Sequence, residues 1–165
     1  MSVLWEYVVP DVEGFEGFRM DCKGRLDFVT QSGVLVDLKT TRDASPEGFG
    51  RECARYDYHG QAAFYRDGYA AATGQHLPYV LVAVEVNRPY VVQVYRLHDD
   101  VLALGREKYR NLLARLNVCR KESRWPGYGD AELDLMLPRW AVPREDEDVT
   151  GLDLVIGESS LGSAH

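Results

Sequence analysis

Residues 24–41 read GRLDFVTQSGVLVDLKTT, and the way this stretch pairs with itself decides what is built around it. Two runs of β-type residues, 25–30 and 34–40, flank a break at Gln31, Ser32 and Gly33. Three-residue hairpin loops commonly end on a residue in the left-handed region, which glycine enters without steric cost. With Gln31, Ser32 and Gly33 as the loop, Thr30 pairs with Val34, Phe28 with Val36 and Asp27 with Asp37. Arg25 then falls opposite Lys39. Residues directly opposite share a face, as do residues two apart along a strand. One face therefore carries Arg25, Asp27, Asp37 and Lys39, and the other carries Leu26, Phe28, Val36 and Leu38. A two-residue loop would shift the register by one and send Asp27 to the face opposite Asp37.

Two carboxylates facing each other across a hairpin repel, and a divalent cation offsets that repulsion. Mg²⁺ takes one or two carboxylates and fills its remaining positions with water and substrate phosphate. Asp27 and Asp37 are the candidate ligands, with the main-chain carbonyl of Leu38 as a third hard oxygen. Such a cation lowers the pKa of a water and neutralises charge on a phosphate. Lys39, on the same face, is placed to hold developing negative charge or to orient the water. A bare D-x-K on a strand is more often a surface hairpin of alternating charge, with Asp37 pairing to Lys39 or Arg25.

Outward from the hairpin, residues 2–9 have strand composition, and 18–21 begin a long strand running into residues 24–30. Ser45 is a helix N-cap with Pro46 at the first helical position. A short element to about Arg55 and a better helix over 57–73, closed by Gly74, follow. Residues 79–87 and 90–97 read as paired strands interrupted at Pro89. Over 99–124, Val101, Leu104, Tyr109, Leu112, Leu113, Leu116 and Cys119 give an apolar stripe of helical period. Residues 125–140 are irregular with aromatic anchors and read as a packed extension. On the second helix Gln61 and Tyr65 share a face, with Tyr58 one turn earlier. Tyr58 and Tyr65 on that face read first as half-buried core aromatics, whereas a buried Gln61 amide needs partners.

The chain of 165 residues fits one domain of ordinary composition, 45% hydrophobic and 27% charged. Its net charge of −7 sits at one end: residues 130–165 hold nine acids and two bases, and the rest hold 17 of each. The body is thus near neutral, which predicts weak, salt-sensitive DNA binding unless several subunits pool their basic residues. From 143 onward an acidic, glycine- and serine-rich tail cannot build a core, so the expected domain is 1–142 with a disordered tail over 143–165. Cys22, Cys53 and Cys119 are far apart and odd in number, which supports neither a disulfide framework nor a zinc site and suits a cytoplasmic protein. No membrane-length apolar span or signal peptide is visible.

Four blocks in this order resemble the PD-(D/E)XK nuclease superfamily, and within it the exonuclease VIII (RecE-type) nuclease domain. They are Gly24-Arg25-Leu26-Asp27; Val36-Asp37-Leu38-Lys39-Thr40-Thr41; Tyr58-His59-Gly60-Gln61 with Tyr65; and Trp125-Pro126-Gly127-Tyr128 with Leu137-Pro138-Arg139-Trp140. The resemblance implies an α/β (α+β) fold: a central mixed sheet containing antiparallel strands, flanked by helices, with a restriction-endonuclease-like core. It implies a Mg²⁺-dependent exodeoxyribonuclease (Mn²⁺ also serving) that hydrolyses phosphodiesters at double-stranded DNA ends in phage-type recombination. The protein would be a homo-oligomer or work with a partner recombination protein. A catalytically impaired fold acting in DNA binding or subunit assembly is the alternative.

By the same resemblance Lys39 is essential, Gln61 and Tyr65 act near the reacting centre, and Arg25, Thr40 and Arg42 are candidate substrate contacts. The resembled nucleases draw one more active-site residue from a helix before the first strand, whereas here the first strand starts almost at Met1. The expectation is weak metal binding and poor cleavage by this chain alone, with apolar surface left exposed around Trp5 and Tyr7.

Overall fold

A computed structural model describes residues 1–11, 16–129 and 131–142. The chain divides into two units, Met1–Pro126 and Gly127–His165. In the first, β1 (Ser2–Val9) and β2 (Phe18–Arg25) form an antiparallel pair. A second sheet orders β3 (Phe28–Val29), β4 (Leu35–Thr41), β5 (Tyr79–Glu85) and β6 (Val92–Arg96) side by side. Its β4–β5 pair is parallel, and its outer pairs are antiparallel. Parallel neighbours need a crossover, here α1 (Pro46–Arg55) and α2 (Tyr58–Thr73); α3 (Asp99–Glu122) follows β6. The result is the expected α+β fold, a mixed sheet flanked by helices.

The hairpin takes the longer loop. Gly33 has φ of +77°. The Gly33 N–H donates to the Thr30 carbonyl at 3.0 Å, and the Thr30 N–H donates to the Val34 carbonyl at 2.9 Å. Phe28 pairs with Val36 and Val29 with Leu35, the register that sets Asp27 across from Asp37.

The long strand expected through residues 18–30 does not exist. β2 ends at Arg25, which pairs with Ser2 in the other sheet, so Arg25 does not stand opposite Lys39. Leu26 is likewise not on the outer face with Phe28 and Leu38. It is buried in the core, whereas those two are exposed. Alternation of faces holds only along one continuous strand, and the chain changes sheets at Leu26 and Asp27.

The covered face of the second sheet is the odd-numbered one: Leu35, Asp37 and Thr41 are buried and Leu38 is 55% exposed. Phe49 of α1, Ala62 and Ala63 of α2 and Leu102 of α3 complete the same core as Leu35, Tyr79 and Leu81. α1 starts as expected: the Ser45 hydroxyl accepts from the Gly48 N–H at 3.1 Å, with Pro46 at the first position. α2 closes at Gly74, whose N–H donates to the Ala70 carbonyl at 2.8 Å.

α3 turns a different side inward from the expected stripe. Leu102, Gly105, Tyr109 and Cys119 are buried, while Val101, Leu104 and Leu112 are exposed. The cause is a close helix crossing: a Cβ on Gly105 would lie 2.2 Å from the His59 carbonyl oxygen of the preceding helix. Only glycine admits that approach, and it fixes which face meets α2. Arg106 clamps the crossing with two hydrogen bonds to Asp67, at 2.7 and 2.6 Å, and the Tyr109 hydroxyl adds a third at 2.7 Å. β1 packs on the same helices. Trp5 is 8% exposed and meets Phe64 edge-on at 4.9 Å, and Tyr7 meets Tyr109 edge-on. Trp5 is therefore covered, while Leu4 and Val8 on the other face of β1 leave apolar surface exposed beside Trp5 and Tyr7.

In the second unit a 3₁₀ turn, Arg139–Ala141, follows Pro138. Trp125, near the end of the first unit, is exposed within it. The expected tail, 143–165, lies outside the described residues. No helix among the described residues is long and apolar enough to cross a membrane.

Candidate active site

β4 carries Asp37 and Lys39 inward on the covered face, and α2 brings Gln61 over them. Lys39 Nζ donates to Gln61 Oε1 at 2.7 Å and lies 2.6 Å from Asp37 Oδ2. It also stands 4.6 Å above the centre of the Tyr58 ring, whose π face attracts a cation. One ammonium is thus held by a carboxylate from its own strand and by an amide and a ring from the helix. Gln61, the amide that needed a partner, has it.

Asp37 is 5% exposed. Its Oδ2 is close enough to Lys39 for an ion pair, yet it makes no hydrogen bond of acceptable direction. These two observations concern one contact. The distance establishes the attraction and the angle leaves a lone pair of a buried carboxylate unused. Burial pushes the Asp37 carboxyl above its ordinary range; Lys39 opposes this, and the neighbouring charge of Asp27 adds to it.

Asp27 is exposed, and its Oδ2 accepts from the Leu38 N–H at 2.9 Å. The side chain takes the ladder position that β3 leaves open by beginning only at Phe28. Among the described residues no group of three His, Cys, Asp or Glu side chains converges. A cation here would rest on Asp27, Asp37 and a main-chain oxygen such as that of Leu38, leaving its other positions to water and phosphate. Two mutually repelling carboxylates, one with an unused buried lone pair, suit a hard cation of the Mg²⁺ kind.

Tyr65 is half-buried against the core. Its ring lies within contact distance of Gly24. The Tyr79 hydroxyl is buried without a hydrogen bond among the described residues. Burial first, then Asp37 and Tyr65, push its pKa up. Sequence reasoning passed over Tyr79, since a tyrosine opening an apolar strand carries no signal of its own. It weighed Tyr58 mainly as a core aromatic, and the Lys39 contact appears only in three dimensions.

Thr40 and Arg42 line a cavity of about 580 Å³ together with Arg55, Tyr56 and Tyr58, beside Lys39. Arg25 is exposed at the end of β2 and does not line it. A larger cavity of about 700 Å³ is bordered by Trp5, Asp67 and Arg106. Neither Asp37, Lys39 nor Gln61 lines that one, so volume does not identify the reacting centre.

The chain belongs to the family of the PDDEXK-like domain of unknown function (DUF3799), whose model matches residues 13–134. This places it in the nuclease superfamily that its D-x-K strand resembles. No curated protein matches the chain. Among solved structures, a "Putative exonuclease" from Eubacterium rectale is similar, with 15% identity and a TM-score of 0.48 over 76% of this chain and 46% of that one. The crystal structure of SSO0001 is similar at 17% identity and a TM-score of 0.41, over 74% of this chain and 52% of that one. The chain thus spans about half the length of these structures.

Proposed function

We propose that this chain is a metal-dependent nuclease that hydrolyses phosphodiester bonds at the ends of double-stranded DNA. The observation that carries the reading is the held lysine: Lys39 is fixed between the buried carboxylate of Asp37 and the amide of Gln61. Family membership supports the nuclease part; action at ends follows the resemblance to exonuclease VIII-type domains. A fold alone does not fix a reaction.

Asp27 and Asp37, with the Leu38 carbonyl, would hold Mg²⁺ or Mn²⁺. When bound, such a cation neutralises phosphate charge and lowers the pKa of a water. Lys39 Nζ presents positive charge to the phosphate oxygens as negative charge builds there. Gln61 Oε1 fixes the ammonium in place, so little reorganisation is needed at the moment of reaction. Asp37 orients the same ammonium from the strand. Tyr65, on the same face of α2 as Gln61, would act beside it near the reacting centre, holding the lysine or the DNA backbone. Thr40 and Arg42 contact the DNA backbone from the adjoining cavity. Partners in this reading are DNA ends and either further copies of the chain or a recombination protein.

The test compares linear and covalently closed circular duplex DNA, with and without Mg²⁺ or Mn²⁺, using the wild type and Asp37→Ala. Metal-dependent loss of the linear form alone, slow for this chain by itself and abolished in Asp37→Ala, is expected. Equal attack on the circle would remove the assignment to ends. DNA binding with no cleavage in either metal would instead assign the fold a binding or assembly role.

A further inference from the structure

Tyr56 is an aromatic side chain that the hydrophobic core does not use. It is 53% exposed at the C-terminal cap of α1, in the short turn before α2. Its ring stacks on Tyr58 at 5.7 Å with 27° between planes, and Tyr58 in turn lies beneath Lys39 Nζ. The Arg55 guanidinium stands 5.4 Å from the centre of the Tyr56 ring. That is a cation–π contact, made by an exposed side chain that a stacking base would displace.

The same ring lines the cavity of about 580 Å³, whose other walls include Thr40, Arg42 and Arg55. Neither Arg42 nor Arg55 forms a salt bridge among the described residues. A half-exposed aromatic ring, two guanidiniums outside any salt bridge and hydroxyls therefore meet in one recess with the Glu52 carboxylate, one side chain removed from Lys39. Bases of unpaired strands stack on aromatic rings and on arginine planes, while their phosphates take arginine and threonine contacts.

We propose that this recess is a subsite for an unpaired DNA nucleotide, its base stacked on Tyr56 and covered by Arg55, its phosphate on Arg42. The inference rests on the nuclease reading, and names the form of substrate presented to that site: a frayed, single-stranded end rather than an intact duplex terminus. A paired base has both faces occupied by its neighbours and cannot use Tyr56. Unpairing at the end would free one base for the ring and carry its phosphate towards Lys39.

The test separates binding from cleavage. A short single-stranded oligodeoxynucleotide with one 2-aminopurine, and an abasic counterpart, are titrated into the protein in EDTA, where no hydrolysis occurs. The wild type should quench the 2-aminopurine and bind the base-bearing strand about ten-fold more tightly than the abasic one. Tyr56→Ala should lose both effects and Tyr56→Trp should keep them, consistent with the usual worth of one base–aromatic stack. Equal binding of the two strands by the wild type, or unchanged binding and quenching in Tyr56→Ala, would overturn the subsite; so would binding of duplex only. Cleavage of linear duplex in Mg²⁺ is measured in parallel. Cleavage without stacking removes the subsite and leaves the nuclease reading, whereas stacking without cleavage does the reverse.

Discussion

Lys39 and Gln61 are 22 residues apart in the chain and joined by a hydrogen bond of 2.7 Å. β4 delivers the ammonium and α2 the amide, so the geometry of the site depends on how the crossover helix seats on the sheet. Misplacement of a catalytic group by about 1 Å is worth about 10²-fold in rate. Gln61→Ala should therefore lower single-turnover cleavage about 100-fold, and Lys39→Ala about 10²–10³-fold. Duplex affinity, read by fluorescence anisotropy in EDTA, should change little in either variant. A parallel fall in affinity and rate would make Lys39 an ordinary phosphate contact.

Mg²⁺ should raise the thermal midpoint of the wild type. A ligand that binds only the folded state at 100 times its Kd adds about 2.7 kcal/mol. Asp27→Ala and Asp37→Ala should each remove most of this shift in differential scanning fluorimetry. Retention of the full shift in both would place the cation elsewhere.

Asp67 joins α2 to α3. Burial alone would raise its pKa, but the hydrogen bonds from Arg106 and Tyr109 outweigh burial and hold it below its ordinary value. A lowered carboxyl contributes stability that is present above the ordinary carboxylate range and is lost as pH falls through the lowered folded value. Asp67→Asn should thus cost about 1–2 kcal/mol at pH 7, allowing for partial solvent screening of the pair. The gap from wild type should narrow as urea melts are repeated from pH 5 downwards. A gap that stays constant with pH would mean the charge contributes nothing.

Gly105→Ala tests the helix crossing. The added methyl would meet the His59 carbonyl at 2.2 Å, and because that atom is backbone the helices must move apart. A cost of about 1–3 kcal/mol is expected, seen as a lower urea midpoint. Since His59 is two residues from Gln61, cleavage should fall too. A variant as stable as the wild type would show that the crossing is loose.

The sequence alone determined what local chemistry controls. Gly33 selects the three-residue loop, and that loop sets Asp27 across from Asp37. Ser45 with Pro46 starts α1, and Gly74 stops α2, because caps and left-handed positions act within a few residues. The D-x-K strand and the blocks around Gln61 and Trp125 were enough to point to the family. Tertiary structure alone decided the rest. Arg25 left the site because β2 pairs with β1, a choice between partners that no single strand encodes. The helices of the crossover determined that the Asp37 side of β4 is covered and the Leu38 side is open. α3 turned away from its most apolar stripe because Gly105 admits the backbone of α2, and close packing of two helices outweighed the burial of Leu104 and Leu112. Tyr58 and Tyr56 gained their positions beside Lys39 in the same way, from the angle at which one short turn joins α1 to α2.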